Sequence, residues 1–180
     1  MEWVLKAQNG SHRMDAVVCG IDPGLNVTGY ALLDAGRSLA ILDAGVFRFD
    51  RKLTLAARLV ALDQDIRSVF MERKPDIVAV EQLFAHYKHP RTAILMGHAR
   101  GVILLAAARL AIEVRSYPST RVKRYLTGNG HASKLQVQRA VQTTLGLGEL
   151  PEPTDLADAL AIAMCCAAEM ANVLTAGPAR

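Results

Sequence analysis

A short stretch near the amino terminus constrains the fold more than any other part of the chain. An apolar, β-rich run ends at Asp22, the turn residues Pro23-Gly24 follow, and a second apolar run resumes at Val27. This pattern is typical of a strand, a tight turn and an antiparallel return strand. Asp22 would then lie at the tip of the first strand, where a carboxylate is rigidly held yet accessible. Asp-Pro-Gly is equally consistent with turn chemistry alone, so the choice depends on the rest of the chain.

Hydrophobic periodicity predicts an α/β domain in which helices flank a five-stranded mixed sheet. The predicted strands are Ala16–Asp22, Val27–Asp34, Leu39–Phe47, Ile77–Val80 and Ala111–Val114. The predicted helices are Thr54–Arg73, Thr92–Leu110, Asp155–Met170 and a helix capped by Ser133 that ends near Leu145. No helix or strand is assigned to residues 115–132. The first three strands form a meander, and the fully apolar fourth strand is expected to be central.

Two of the predicted strands end in a carboxylate, Asp22 and Glu81, and the last helix opens with Asp155 and Asp158. Adjacent parallel strands would bring the first two side chains close together. The second two share one helical face, because residues three apart on a helix are neighbours. Each acid also has an ordinary explanation. Strand ends often carry surface acids, and acids in a first helical turn are stabilised by the helix dipole.

Four clustered carboxylates would repel one another strongly unless a cation neutralised them. Hard divalent ions prefer oxygen ligands, so such a set suits Mg²⁺ or Mn²⁺. Two ions about 4 Å apart can activate a water molecule and stabilise the leaving oxygen of a phosphodiester. The four acids therefore predict a two-ion hydrolytic centre, provided that the fold brings them together.

The positive charge of the chain is concentrated in its middle, although the net charge is only +4. Between Gln82 and Gly148 there is a single acid, Glu113, against ten cations: Lys88, Arg91, Arg100, Arg109, Arg115, Arg121, Lys123, Arg124, Lys134 and Arg139. Such a stretch indicates a surface that binds a polyanion, and an ordinary solvated cationic face is the alternative. Phe84 and Tyr87 lie among these cations, which suits stacking on bases, although Phe84 could equally fold back into the core.

The length of 180 residues and the 51% hydrophobic content suit one domain with a sizeable core. The three cysteines show neither zinc-like spacing nor a disulfide framework, which favours reduced thiols and a cytoplasmic location. No apolar run reaches the roughly 20 residues of a membrane span, and no signal peptide is visible, so no membrane partner is expected. We expect a domain over residues 15–171, a flexible extension over 1–14 and a flexible tail over 172–180.

Five short motifs occur in order along the chain. They are Gly20-Ile21-Asp22-Pro23-Gly24, Val80-Glu81-Gln82-Leu83-Phe84, Gly97-His98-Ala99-Arg100-Gly101-Val102, Pro118-Ser119-Thr120-Arg121-Val122-Lys123 and Asp155-Leu156-Ala157-Asp158-Ala159-Leu160. With the order of strands and helices, they resemble the ribonuclease H-like fold and, within it, the RuvC family of bacterial Holliday-junction resolvases. The resemblance extends from about Ala16 to Met170. Each motif is loose by itself, but five in register are specific.

The resemblance implies a homodimeric, metal-dependent endonuclease of recombination and DNA repair. Such an enzyme nicks two like-polarity strands of a four-way DNA junction symmetrically and leaves ligatable ends with 5′-phosphates. The expected cofactors are two Mg²⁺ or Mn²⁺ ions per active site. The expected partners are junction DNA, a second copy of the chain and the RuvA–RuvB branch-migration complex.

The resemblance also assigns roles to individual residues. The catalytic metal ligands would be Asp22, Glu81, Asp155 and Asp158, although some family members have a histidine at the position of Asp155. Phe84 matches the aromatic that stacks at the junction centre, and Lys123 and Lys134 match basic residues near the cleaved strand. The further DNA contacts expected from the basic segment are Lys88, Arg91, Arg121, Arg124 and His131. The Thr92–Leu110 helix matches the dimer helix, with an interface at Gly97, Gly101 and Leu104.

Three other functions remain open at the level of sequence. An actin-like ATPase also has an acid and glycines in its first hairpin, but it needs two related subdomains, and 180 residues hold one. A RuvX-like nuclease acting on RNA precursors would have a shorter chain and different loop motifs. A junction-binding or dimerisation module with a dead site would not be expected to keep all four acids.

Overall fold

The structure is a computed structural model that describes residues 5–6, 16–36, 38–83 and 90–176. The strands are β1 (Leu5–Lys6), β2 (Val17–Asp22), β3 (Val27–Asp34), β4 (Ala40–Arg48), β5 (Ile77–Glu81) and β6 (Glu113–Tyr117). The helices are α1 (Leu55–Arg73), α2 (Pro90–Arg109), α3 (Ser119–Thr127), α4 (Lys134–Leu145) and α5 (Thr154–Ala176). The predicted α/β class and all five predicted strands are confirmed.

The strands form one mixed sheet in the order β1-β4-β3-β2-β5-β6. The first hairpin is antiparallel, and β2, β5 and β6 run parallel to one another. These three strands therefore end at the same side of the sheet, which we call the carboxyl edge. The register pairs Ile21 with Val80, so Asp22 and Glu81, one residue further on each strand, emerge next to each other at this edge.

Each face of the sheet has its own apolar core, because side chains alternate along a strand. Val18 belongs to the core under α3, α4 and α5, whereas Val17 and Cys19 belong to the core under α1 and α2. All three cysteines, the other two being Cys165 and Cys166, are buried free thiols. Fully burying a Leu, Ile or Phe side chain stabilises a fold by about 1.5–3 kcal/mol. The two cores thus fix the helices that carry residues to the carboxyl edge.

Two glycines let α5 approach the sheet more closely than a side chain would permit. A Cβ built on Gly20 of β2 would lie 2.6 Å from the Ala163 nitrogen of α5. A Cβ built on Gly29 of β3 would lie 2.6 Å from the carbonyl carbon of Asp155. Only glycine fits at these positions, because a real Cβ does not come within 3.0 Å of such atoms. The first turn of α5 is therefore pressed against the sheet beside the strand tips.

After the first residues of the chain, the structure differs most from the sequence prediction in three elements. β6 begins at Glu113 and not at Ala111, because Ala111 has a φ of 55° and helps to end α2 through a bond from its N–H to the Ala108 carbonyl. Residues 119–127, left unassigned, form α3. α5 continues to Ala176, past the predicted end.

The ends of the chain were predicted to be flexible and outside the domain. The pair Leu5–Lys6 nevertheless forms β1, which pairs with Ala44 and Asp43 at the edge of β4 and adds a sixth strand. Residues 1–4, 7–15 and 177–180 lie outside the described residues, so their flexibility stays a prediction.

The outer face of α2 is apolar and uncovered in this chain. Ile94 is 59% exposed and Leu105 is 49% exposed, and nothing lies within 4 Å of a Cβ built on Gly97 or Gly101. Within the described ranges, α2 is also the helix long and apolar enough to cross a membrane, over Thr92–Arg109. That test considers length and composition alone, and core helices of water-soluble proteins pass it too.

The sequence prediction overlooked this window because it considered uninterrupted apolar runs, and Arg100 interrupts the apolar run within the helix. The Arg100 guanidinium donates to the Glu81 carbonyl at 3.2 Å and to the Ser116 hydroxyl at 2.7 Å. These two acceptors belong to β5 and β6. Arg100 therefore fastens the middle of α2 to the carboxyl edge of the sheet.

Replacing Gly20 by alanine is expected to destabilise the protein by about 1–3 kcal/mol, because the new methyl group must displace α5. Denaturant unfolding followed by circular dichroism measures the change. The matched control is Gly148→Ala at an open position, which should stay within about 0.5 kcal/mol of the wild type. Equal stability of the two variants would contradict the close packing of α5 on β2.

Candidate active site

Four carboxylates from distant parts of the chain line one cavity at the carboxyl edge, with a volume of about 580 Å³. Asp22 closes β2, Glu81 closes β5, and Asp155 and Asp158 lie in the first turns of α5. The four acids predicted from the sequence are therefore brought together. We call this cavity the acid cleft.

Three acids of the cleft, Asp22, Glu81 and Asp158, have pKa values raised above those of the same groups in water. Burial is the main cause, and it raises the pKa of Asp22 well above its ordinary range; the neighbouring charges of Glu81 and Asp158 raise that pKa further. Burial also raises the pKa of Glu81 and of Asp158. Lys123 and Lys134 act in the opposite direction on Glu81 and Asp158. The cleft thus gathers more negative charge than its own cations offset.

The turn that carries Asp22 is fixed by a buried hydroxyl. Thr28 is fully buried, and its Oγ1 accepts the Gly24 N–H at 3.3 Å while donating to the Gly24 carbonyl. A side chain that satisfies both polar groups of one residue holds the backbone of the turn in a single conformation. The Pro23-Gly24 sequence is therefore more than a reversal of direction, because the Thr28 hydroxyl fixes the backbone that directly follows Asp22.

Two lysines form a cationic border on one side of the cleft, which we call the lysine rim. Lys123 lies on α3 and Lys134 on α4, and both line the cavity. The Lys134 ammonium lies 3.7 Å from an Asp158 oxygen and 3.4 Å from the Thr154 hydroxyl. This side chain is 66% exposed, so the ion pair adds little stability. It does keep a positive charge where an anionic group entering the cleft would meet it.

The donor set of the cleft fits a hard divalent cation. All four acids offer carboxylate oxygens, the ligands that Mg²⁺ and Mn²⁺ prefer, and their mutual repulsion is relieved when a cation binds. No three His, Cys, Asp or Glu side chains in the described ranges already surround a single point. The carboxylates would therefore have to turn toward an ion as it enters, which a cavity open to solvent permits.

Three further residues predicted from the sequence to bind DNA, Arg121, Arg124 and His131, do not line the cavity. The Arg121 guanidinium pairs with Glu169 at 3.1 Å and lies 5.4 Å from the centre of the Tyr117 ring. Arg124 and His131 are exposed near the cleft without lining it. Phe84 and Lys88, and the side chain of Arg91, lie outside the described residues, so their roles stay predictions.

The sequence analysis missed other residues that line the cleft. Asn26, in the β2–β3 turn, and Arg51, between β4 and α1, line it, and Ser119 lines it from the start of α3. The sequence could have predicted the place of Ser119, because this residue follows the end of a parallel strand, where the binding sites of α/β sheets usually lie. Nothing in the sequence pairs Asn26 with Arg51, since their proximity depends on the antiparallel pairing of β3 with β4.

An antiparallel meander followed by two parallel strands, with acids at the strand tips and on the last helix, defines a ribonuclease H-like α/β fold. Solved structures agree with this class. The Thermus thermophilus RuvC structure matches with a TM-score of 0.77 and 35% identity, over 86% of this chain and 96% of that one. T. thermophilus RuvC in complex with Holliday junction substrate matches with a TM-score of 0.79 and 34% identity, over 87% and 96%.

Sequence comparisons give the particular family. The family described as "Crossover junction endodeoxyribonuclease RuvC" matches residues 18–166. A Rhodopirellula baltica protein of that name is 50% identical over 163 residues, 90% of each chain. A Heliobacterium modesticaldum protein of that name is 43% identical over 152 residues, 84% of this chain and 93% of that one. The chain belongs to the RuvC family, which confirms the resemblance drawn from its five motifs.

Asp22→Asn is expected to raise the melting temperature in metal-free buffer at neutral pH. Because the pKa of Asp22 is higher in the folded than in the unfolded protein, the folded state loses stability as pH rises from about 4, the ordinary pKa of an aspartate. The gain should be about 2–4 °C for each kcal/mol relieved, and it should shrink toward pH 4. Calorimetry across this pH range measures it.

The exposed Glu149→Gln supplies the matched control and should show no such pH-dependent gain. Adding Mg²⁺ or Mn²⁺ should raise the melting temperature of the wild type more than that of Asp22→Asn, because a ligand that binds the folded state stabilises it. A variant that melts no higher than the wild type at any pH would contradict the repulsion within the cleft.

Proposed function

We propose that this protein is a divalent-metal-dependent endonuclease that resolves four-way DNA junctions. The observation that carries the proposal is the gathering of Asp22, Glu81, Asp155 and Asp158 in one cleft beside the lysine rim. An acid centre with a cationic border suits a reaction in which a phosphodiester is held and then hydrolysed. Membership in the RuvC family supports the choice of substrate, since one solved relative is described in complex with a Holliday junction.

The residues of the cleft have separable tasks in this reaction. The four carboxylates would hold Mg²⁺ or Mn²⁺, two ions in the full site, and such ions supply activation of water and stabilisation of the leaving oxygen. Lys123 and Lys134 would bind the phosphate and offset its charge beside the acids. Thr28 and the glycine contacts of α5 hold the carboxylates in place before substrate arrives. Hydrolysis of the bond between the phosphorus and the 3′ oxygen would leave a 3′-hydroxyl and the 5′-phosphate end that ligation requires.

A homodimer would explain how two strands are cut as a pair. A four-way junction has two strands of like polarity related by two-fold symmetry, so two copies of one active site can nick them symmetrically. The exposed apolar face of α2 supports such an interface, because Gly97 and Gly101 leave room for a second helix and Leu104 is only half-buried. Two-fold dimers use the same patch on both copies.

The cellular setting of the proposal rests on the family resemblance. A resolvase of recombination and DNA repair would act in the cytoplasm beside the RuvA–RuvB branch-migration complex, which moves the junction before it is cut. Of the alternatives, the actin-like ATPase has the least support, because the described residues form one sheet and not two related subdomains.

The wild type is expected to introduce paired nicks into a labelled four-way junction when Mg²⁺ or Mn²⁺ is present, and none in EDTA. Asp22→Asn should bind the junction but cut it at least about a hundredfold more slowly, because a metal ligand is lost. Denaturing gels of each labelled strand measure the cuts, and ligation of the products tests for 5′-phosphates. Glu149→Gln is the matched control and should cut like the wild type.

A structured RNA precursor serves as the alternative substrate in the same assay. Cutting that survives in Asp22→Asn would contradict the catalytic role of this acid. A wild type that cuts the RNA and spares the junction would contradict the choice of substrate.

Gly101→Glu is expected to convert the protein to a monomer without lowering its stability. The monomer has open space at this position, whereas in a dimer the new side chain would clash with the second helix. Light scattering after size-exclusion chromatography measures the mass. Gly148→Glu adds the same side chain at another open glycine outside α2 and should leave the dimer intact. A Gly101→Glu protein that remains dimeric would place the interface elsewhere.

A further inference from the structure

The acid cleft is also lined by two polar residues that the proposed reaction does not yet use. Asn26 and Arg51 line the cavity from the β2–β3 turn and from the turn between β4 and α1. We call this pair the arginine rim. The lysine rim belongs to helices on one face of the sheet, whereas Arg51 precedes α1 on the other face. Elements on both faces of the sheet therefore contribute cationic side chains to the lining of the acid cleft.

The two turns of the arginine rim are joined into one platform. The Phe49 N–H donates to the Asn26 carbonyl at 3.0 Å, and the Phe49 side chain is buried in the core under α1 and α2. One residue later, the Asp50 carboxylate accepts the Lys52 N–H at 2.8 Å, which shapes the turn that presents Arg51. Arg51 therefore projects from a formed turn whose position relative to Asn26 is fixed by the backbone.

The amide of Asn26 is oriented by a neighbouring arginine. The Arg58 guanidinium donates to Oδ1 of Asn26 at 3.1 Å. An arginine side chain has only donors, so the atom that faces it must be the amide oxygen. The amide NH₂ of Asn26 is left to donate elsewhere. The donor amide of Asn26 and the guanidinium of Arg51 line the same cavity. This combination suits a phosphate oxygen, which only accepts hydrogen bonds.

The charge of Arg51 is also available. Its side chain is exposed, and within the described ranges no carboxylate is paired with it. A nucleic-acid strand that crosses the cleft brings one phosphate to the acids and further phosphates to either side. Those flanking phosphates would be repelled by the acids unless cations lay beside them. The lysine rim would bind the flanking phosphates on one side of the cut bond, and the phosphates on the other side require another cation.

We infer that Asn26 and Arg51 bind a backbone phosphate of the cleaved strand, on the side of the cut bond that faces away from Lys123 and Lys134. This inference rests on the proposed nuclease function and adds to it a second phosphate-binding site. The two rims would hold the strand at both ends of the scissile segment. The cut bond is then positioned over the acids by contacts that carry no base sequence information.

The test compares Arg51→Gln with Lys52→Gln, its neighbour in the same turn, which loses the same charge but does not line the cleft. Binding of a four-way junction is measured in EDTA, where no cutting occurs, between about 50 and 200 mM salt. Arg51→Gln should bind roughly tenfold more weakly, and its slope of log K against log salt should be shallower by about 1. Lys52→Gln should resemble the wild type.

A second arm locates the phosphate. After the cut site is mapped, junctions are made with a single uncharged methylphosphonate at each position on either side of it. One position on the side away from the lysine rim should weaken binding by the wild type and have no further effect on Arg51→Gln. A position on the other side should behave in the same way with Lys123→Gln. Melting temperatures of all variants verify that they fold.

The outcomes separate this inference from the proposed function. If the wild type cuts the junction but Arg51→Gln and Lys52→Gln bind alike, or if no methylphosphonate position depends on Arg51, the second phosphate site is refuted and the nuclease stands. If the wild type neither binds nor cuts the junction, both fail together.

Discussion

The structure depends on how closely α5 can approach the sheet. Gly20 and Gly29 remove the side chains that would hold this helix away, and its first turn descends beside the tips of β2 and β5. Asp155 and Asp158 thereby reach the strand-end acids, although more than 70 residues of chain separate them from Glu81. Close packing costs little in an apolar core, but here it forces carboxylates together. The functional cleft is a direct result of that packing.

Clustering the carboxylates lowers the free energy of unfolding. Burial and mutual repulsion raise the pKa of Asp22, Glu81 and Asp158, so the ionised carboxylates of the cleft oppose folding at neutral pH. The two apolar cores supply enough stability for the protein to fold despite this repulsion. The lysine rim offsets part of the repulsion, and a bound divalent cation would offset more of it. The site is therefore expected to be a region of lower intrinsic stability held on a well-packed scaffold.

Sequence reasoning succeeded where a local rule decides the structure. Ser133 was predicted to cap α4, and its side chain forms a full capping box with Gln136. It failed where tertiary context decides. α3 was missed because it is short and has a single buried side chain, Val122, which is flanked by cations. One apolar position gives no helical periodicity to detect. The partner of Arg121 could not be inferred either, because Glu169 lies on a helix that only folding brings near.

The guanidinium of Arg100 couples α2 directly to the carboxyl edge of the sheet. It joins the middle of the helix to the last carbonyl of β5, on the same residue whose carboxylate enters the cleft, and to β6. Pressure applied to the outer surface of α2, such as that from a second subunit, would be transmitted through one side chain to the backbone of Glu81. Association of two copies would then be coupled, through Arg100, to the position of the Glu81 carboxylate.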